Sequence, residues 1–153
     1  MTYWDRKLIR EQLDSKLEKL KLLSTIIPQT GWIKMIREAL GMSTKQLSKK
    51  VGIDQSRISR LENAEIENDL KLSSLKKIAE ALNMKFVYGF VPETSLEEMV
   101  LDQAKKIALE RMAKVDHTMR LEQQELPNDQ KQKVLDDLIQ KIMIEEPQDF
   151  WDQ

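Results

Sequence analysis

The chain has no cysteine, one histidine and, in 153 residues, only four glycines and four prolines. Without cysteine there is no disulfide scaffold, no thiolate metal site and no cysteine nucleophile, which fits a reducing compartment. The lone His117 has no second histidine or cysteine to complete a ligand set, so no metal is expected, and a hydrogen-bonded packing role is assigned to it. Phosphate-cradling glycine loops are missing. His117, the adjacent acids Glu97 and Glu98 and a scatter of serines form no spacing of nucleophile, base and orienting group, so neither an enzyme nor a cofactor is expected. No apolar run approaches the roughly 18 residues that cross a bilayer, and "MTYWDRKLIREQ" lacks the hydrophobic stretch of a signal peptide. A soluble, cytoplasmic protein is expected, with one substantial core or a small domain carrying an attached helical region.

What is present is helical and charged. Lysine, leucine, glutamate and glutamine dominate, so most of the chain should be α-helix. The formal net charge is only −1, but the charges are not evenly mixed. Through Pro92 there are 17 lysines and arginines against 11 acids; from Glu93 onward the count is 8 against 15. A basic front half suits phosphate. An acidic rear half suits a protein partner, or is the solvated face of a helical tail.

The few breakers mark boundaries. In "DRKLIREQLDSKLEKLKLL", Ile9, Leu13, Leu17 and Leu20 follow the steps of an amphipathic helix that should stop near Pro28. "GWIKMIREALG" places Ile33, Ile36 and Leu40 on one side and closes at Gly41. Ser43 with Gln46 has capping-box spacing, opening a helix with Leu47 and Val51 inward and Gly52 at its end. Asp54 is the next N-cap, before a helix that buries Ile58 and Leu61. "LKLSSLKKIAEALN" turns Leu72, Leu75, Ile78, Ala79 and Leu82 toward the core. Then the period changes: "MKFVYGFVP" is β-branched and aromatic and reads as a short strand ending at Pro92. A lone strand needs a partner, most economically the same strand of a second copy, which predicts a dimer. Ser95 with Glu98 caps a long helix with Leu96, Val100, Ala104 and Ile107 on one face. Pro127 breaks it, and Asn128 caps a last helix striped by Val134, Leu135, Leu138, Ile139 and Ile142.

Two short helices joined by "VGID" have the arrangement of a helix-turn-helix, whose tight turn uses the backbone freedom of Gly52. Such a turn projects the second helix into a major groove roughly 12 Å wide, where each base pair shows a distinct pattern. Gln55 suits an adenine edge, Arg57 or Arg60 suits guanine or phosphate, and Ser56 and Ser59 are short and permissive. Thr44, Lys45, Lys49 and Lys50 on the preceding helix should lie near the DNA backbone. The plain alternative is a pair of solvated polar faces. Against it, Leu47, Ser48, Val51, Gly52, Ile53, Ile58 and Leu61 occupy the apolar, small and glycine positions the motif requires. Between Gly31 and Glu62 seven basic residues face three acidic ones, which also fits phosphate.

Residues Trp32 to Leu82, with "LGMSTKQLSKKVGIDQSRISRLEN", resemble the five-helix, lambda-repressor-like domain of the XRE family. That resemblance implies an all-α fold in which Gln55, with Ser56, Arg57, Ser59 and Arg60 around it, reads bases, Asn63 contacts phosphate, and Arg37 and Glu62 form an internal ion pair of structural role. Many relatives carry glutamine where Thr44 stands, bracing the recognition helix and touching phosphate; threonine is too short for both. Over nearly the whole chain, "LDSKL", "GWIKMIREALGMS", "FVYGFVPETSLEEMV" and "VDHTMRLEQQ", in this order, resemble the mobile mystery protein A family, XRE-type proteins often encoded beside a Fic-domain partner in the manner of antitoxin and toxin. Fic enzymes are held off by a helix with Ser or Thr, three residues, Glu, then Gly or Asn. "TMRLEQ" supplies Thr118 and Glu122, with Gln123 at the final position.

The expected organisation is therefore an N-terminal amphipathic helix over 1–29, a helix-turn-helix DNA-binding domain over 30–84, a short strand over 85–92 with dimer pairing, and an acidic helical region over 93–153. The expected function is a homodimeric, sequence-specific repressor that binds a double-stranded DNA operator and controls its own operon, one encoding a Fic-domain toxin. The alternative is an antitoxin or interaction protein that binds a toxin through its C-terminal helices, with DNA binding secondary.

Overall fold

The structure, a computed structural model, describes residues 1–122 and 126–152. Among these the regular elements are eight helices: α1 (Tyr3–Glu18), α2 (Leu23–Ile26), α3 (Trp32–Ala39), α4 (Thr44–Val51), α5 (Gln55–Ile66), α6 (Leu72–Ala81), α7 (Leu96–Leu121) and α8 (Asn128–Glu145). They form two units, Leu20–Phe90 and a second in which Met1–Lys19 joins Val91–Gln153. The expected N-terminal segment 1–29 is thus divided, α1 going to one unit and α2 to the other.

The unit of residues 20–90 is built on Ile33, Leu47, Val51, Ile58 and Ile78, with Ile53, Leu61, Leu75 and Leu82 packed around them. Leu47 and Ile58 are wholly buried, each stabilising the fold by about 1.5–3 kcal/mol relative to exposure. Between residues 30 and 84 there are four helices, α3 to α6, with the short α2 before them, rather than five. Leu40 and Leu72, expected inward, are exposed. Leu40 caps the end of α3 and Leu72 is the first residue of α6, so each stands where its helix is leaving the core.

No strand forms over 85–92. A strand exists by its ladder of paired backbone groups. Lys85–Pro92 has no regular structure and makes no backbone–backbone hydrogen bond among the described residues. It keeps the local habit of its β-branched and aromatic composition: Phe86 and Tyr88, two residues apart and so on one side, stack at 6.2 Å.

The other unit packs α1, α7 and α8 around Val100, Ala104, Ile107, Ala108, Ile139, Ile142 and Met143, closed by Tyr3 and Phe150. Fully buried Ala104 and Ala108 let α8 approach α7 closely. Helix α1 uses only part of the stripe expected of it. Ile9 and Leu13 are exposed, while Tyr3, Arg10, Asp14 and Leu17 turn inward. The cause is polar. Arg10 Nε donates to Glu97 Oε2 at 2.7 Å, and the Asp14 carboxylate accepts from the Leu96 and Glu97 amides at 2.7 and 3.2 Å. These bonds satisfy the start of α7 and fix the rotation of α1. Ser95 accepts from the Glu98 amide at 3.1 Å, so Ser95 and Asp14 share the cap of α7. Asn128 lies inside α8; Pro127 holds the cap position and no side chain caps that end. Val134 is exposed, and His117 stands exposed on α7 rather than packed.

Candidate nucleic-acid interface

The α4–α5 pair is assembled from the turn outward. Ser43 and Gln46 close a reciprocal capping box, with Gln46 N donating to Ser43 Oγ at 3.1 Å and Ser43 N to Gln46 Oε1 at 2.8 Å. At the other end of α4, Gly52 takes φ 81°, ψ 35°. Its own amide and that of Ile53 both return to Ser48 O, at 2.8 and 3.1 Å. A side chain at that φ would strain the turn, so glycine sets the angle at which α5 leaves. Asp54 occupies the N-cap position of α5 without a side-chain cap bond.

Two carboxylates on the back of α5 lock it in place. Glu62 accepts from Arg37 Nε at 2.6 Å and Nη2 at 3.3 Å, and Arg37 Nη1 donates to Met42 O at 2.8 Å. The Arg37 and Glu62 side chains are only 11% and 8% exposed. One guanidinium therefore ties α3, the α3–α4 loop and α5 together, and its hydrogen bond to Glu62 holds its pKa above the ordinary arginine value against the opposing effect of burial. Glu65, one turn on, accepts from the Trp32 and Ile33 amides at 3.0 and 2.8 Å, capping α3 from another helix. Gly31 makes room for it: its φ is 83°, and a Cβ there would come within 2.7 Å of Glu65 Oε1.

With that face fastened, the opposite face of α5 is free. At 100° per residue, Gln55, Ser56, Ser59, Arg60 and Asn63 fall along one stripe, and all five are exposed. Arg57 is also exposed but lies about 130° round from the centre of that stripe. Arg60 lies between the two, about 60° from Arg57 on the helix surface. Lys45 and Lys49 stack one turn apart on one side of α4 while Lys50 points to another; all three are exposed. Among the described residues none of these cations pairs with a carboxylate. Thr44 does not reach outward as a long glutamine would. Its hydroxyl accepts from Gln55 Nε2 at 2.8 Å, which holds the Gln55 amide against the start of α4. Such a surface has the chemistry of base edges on α5 and phosphates along α4.

Thr118 and Glu122 are exposed near the end of α7. Thr118 Oγ1 donates back to Lys114 O at 3.1 Å; Gln123, the last position of the expected inhibitory pattern, lies outside the described residues. No group of three or more acids and histidines among the described residues could hold a metal.

Residues 33–88 match the family model described as helix-turn-helix, of the XRE type. The matched stretch takes in nearly all of α3 and the whole of α4 to α6, so this part of the chain is a helix-turn-helix domain of that type. No curated protein and no solved structure matches the chain. Among the described residues no helix is long and apolar enough to cross a membrane.

Two functional carboxylates escape a reading of the sequence alone: Glu65 and Asp14, each capping a helix far away in the chain. The available signal is negative. Helix α3 opens with "TGW" and no local acceptor one residue ahead of it, so its first amides needed a partner from elsewhere.

Proposed function

We propose that this protein is a sequence-specific DNA-binding transcriptional repressor that acts as a homodimer and controls its own operon. The observation that carries the reading is the exposed stripe of Gln55, Ser56, Ser59 and Arg60 on a helix whose other face is locked by Glu62 and Glu65. A rigid helix presenting short polar groups, an amide and a guanidinium can read base edges. Gln55 and Arg60 face the bases, Ser56 and Ser59 allow close approach, and Arg57, Thr44, Lys45, Lys49, Lys50 and Asn63 serve the backbone. The dimer reading is supported by Val87, Tyr88 and Phe90, which are 65%, 64% and 84% exposed in a segment that makes no backbone–backbone hydrogen bond among the described residues. Two heads would read half-sites about 34 Å apart. Resemblance to mobile mystery protein A supports an operon that includes a Fic-domain toxin.

The test is binding of the purified protein to the DNA upstream of its own gene against random DNA, at two salt concentrations. A specific complex of moderate salt sensitivity supports a reading head. Weak binding to both, vanishing with salt, leaves only phosphate attraction and overturns the proposal.

A second reading rests on α7, where Leu109, Val115 and Leu121 are 55%, 48% and 74% exposed. In it the acidic helices hold a toxin, with Thr118 and Glu122 in the inhibitory role, and DNA binding is secondary. A chain cut at Pro92 would test this badly, because α1 would lose its packing on α7 and α8. Leu109→Glu and Val115→Glu in the whole chain are the better probes. Loss of toxin binding with DNA affinity retained assigns the surface to the toxin.

A further inference from the structure

The unit formed by Met1–Lys19 and Val91–Gln153 holds a cleft of about 500 Å³ between α1, the start of α7 and the turn after α8. Its volume lies in the range of small-molecule sites, roughly 300–1,000 Å³. One wall is apolar: Leu96, Met99, Val100, Phe150 and Trp151. Trp151 is 61% and Met99 49% exposed, although the turn that carries Trp151 is pinned by Gln103 Nε2 donating to Phe150 O at 2.6 Å. The turn is thus held in place, and the indole, edge-on to Phe150, is uncovered.

The other wall is cationic and incompletely matched. Arg10 has a side chain only 11% exposed. Its Nε serves Glu97, its Nη1 stands 3.9 Å from Glu146, beyond a hydrogen bond, and its Nη2 is buried without an acceptor. A buried guanidinium normally has its donors met. Arg6 pairs with the same Glu146. Glu146 itself sits at φ 44°, a left-handed conformation rarely adopted by residues with a side chain. One glutamate in a left-handed conformation thus stands between two arginines, paired with Arg6 and out of hydrogen-bond reach of Arg10.

We propose that this cleft binds a small organic carboxylate with a flat apolar body. The ligand's carboxylate meets the Nη1–Nη2 edge of Arg10 and the guanidinium of Arg6, a planar fork that matches carboxylate geometry. It takes the place of the Glu146 carboxylate, whose withdrawal opens the buried edge of Arg10. The apolar body lies against Met99 and Trp151. Every residue used belongs to this one unit, so the site stands or falls independently of the DNA-reading head.

The test is calorimetric titration of the whole chain with 2-naphthoate and with its uncharged counterpart 2-naphthylmethanol. Saturable one-to-one binding of the carboxylate is expected, with the alcohol about tenfold weaker or worse. Arg6→Gln should weaken the carboxylate by about tenfold, and Glu146→Gln, which removes the competing anion, should tighten it several-fold. Trp151→Ala should weaken both compounds, and circular dichroism of each variant establishes that it is folded. No saturable heat with the folded wild-type chain, equal affinity for acid and alcohol, or a folded Glu146→Gln that binds no tighter would each overturn the proposal. A Glu146→Gln gain that is confined to the acid and is saturable at one-to-one stoichiometry separates the site from an unspecific apolar surface.

Discussion

Replacing Glu62 with leucine tests what holds the reading helix in place. The Glu62 side chain is 8% exposed and takes two of the three hydrogen bonds made by Arg37, itself 11% exposed. Glu62→Leu leaves a buried guanidinium with Met42 O as its one remaining acceptor. Removing one partner of a buried pair costs about 3–5 kcal/mol, and two charge-assisted bonds at about 1.5–3 kcal/mol each give the same range. A unit of this length is expected to be stable by only about 4–10 kcal/mol, so the single change should remove a large part of its stability. Arg37→Met should cost a similar amount. The double variant removes both charges and leaves two apolar chains to pack, so it should recover most of the loss, with a coupling of at least about 2 kcal/mol. Native-state amide exchange at Ile58 and Leu61 reads this locally, undisturbed by the second unit. If Glu62→Leu costs less than about 1 kcal/mol, or the single losses simply add in the double variant, the pair is not what fastens α5.

Four further outcomes are expected. Gly31→Ala forces a Cβ toward Glu65 Oε1 at a φ of 83° and should destabilise the same unit by about 1–3 kcal/mol in urea unfolding; a neutral result would show that Glu65 does not cap α3. Gln55→Ala should cost roughly 1–3 kcal/mol on the preferred operator and relax one base position, whereas Lys49→Ala should weaken all sequences alike, as mobility-shift titrations against single-base variants will show. Asp14→Ala should cost about 0.5–2 kcal/mol by uncapping α7, with faster exchange in its first turn and in α1. Asp116 is held below the usual carboxylate range chiefly by the hydrogen bond from Lys131, with the charge of Arg120 adding to it. A depressed folded pKa gives stability that is full above the unfolded value of about 3.9 and is lost as pH falls through the folded one. Acid should therefore loosen the α7–α8 contact, and Asp116→Asn should remove that acid-sensitive component from the exchange profile; an unchanged profile would deny the ion pair a role.

Much of the reading head was legible from spacing. The turn needs glycine for its backbone, Ser43 and Gln46 sit three apart, and Leu47, Val51, Ile58 and Leu61 fall where a helix repeats. Each of these signals lies within one turn or one helix, so local sequence carries it. The dual use of Thr44 and Gln55 was not legible, because it depends on how close the N-termini of α4 and α5 come. The strand over 85–92 was inferred from composition, yet pairing requires a neighbour and none of the described segments supplies one.

The N-terminal helix shows the division most clearly. Periodicity alone favoured Ile9 and Leu13 as its inner face, and the folded chain chose Tyr3, Arg10 and Asp14 instead. An amphipathic pattern records how apolar residues repeat, but it does not say what the helix will meet. Glu97 and the unsatisfied amides at the start of α7 are more than eighty residues away, and their need for partners outweighed burying two aliphatic side chains. Local sequence settles most of the helices, the capping box of Ser43 and Gln46 and the glycine turn, because these depend on atoms a few residues apart. Tertiary structure decided which faces are buried, which carboxylates cap distant helices and which polar side chains remain free, because a buried charge or an orphaned amide costs more than a misplaced leucine and is satisfied wherever the fold brings a partner.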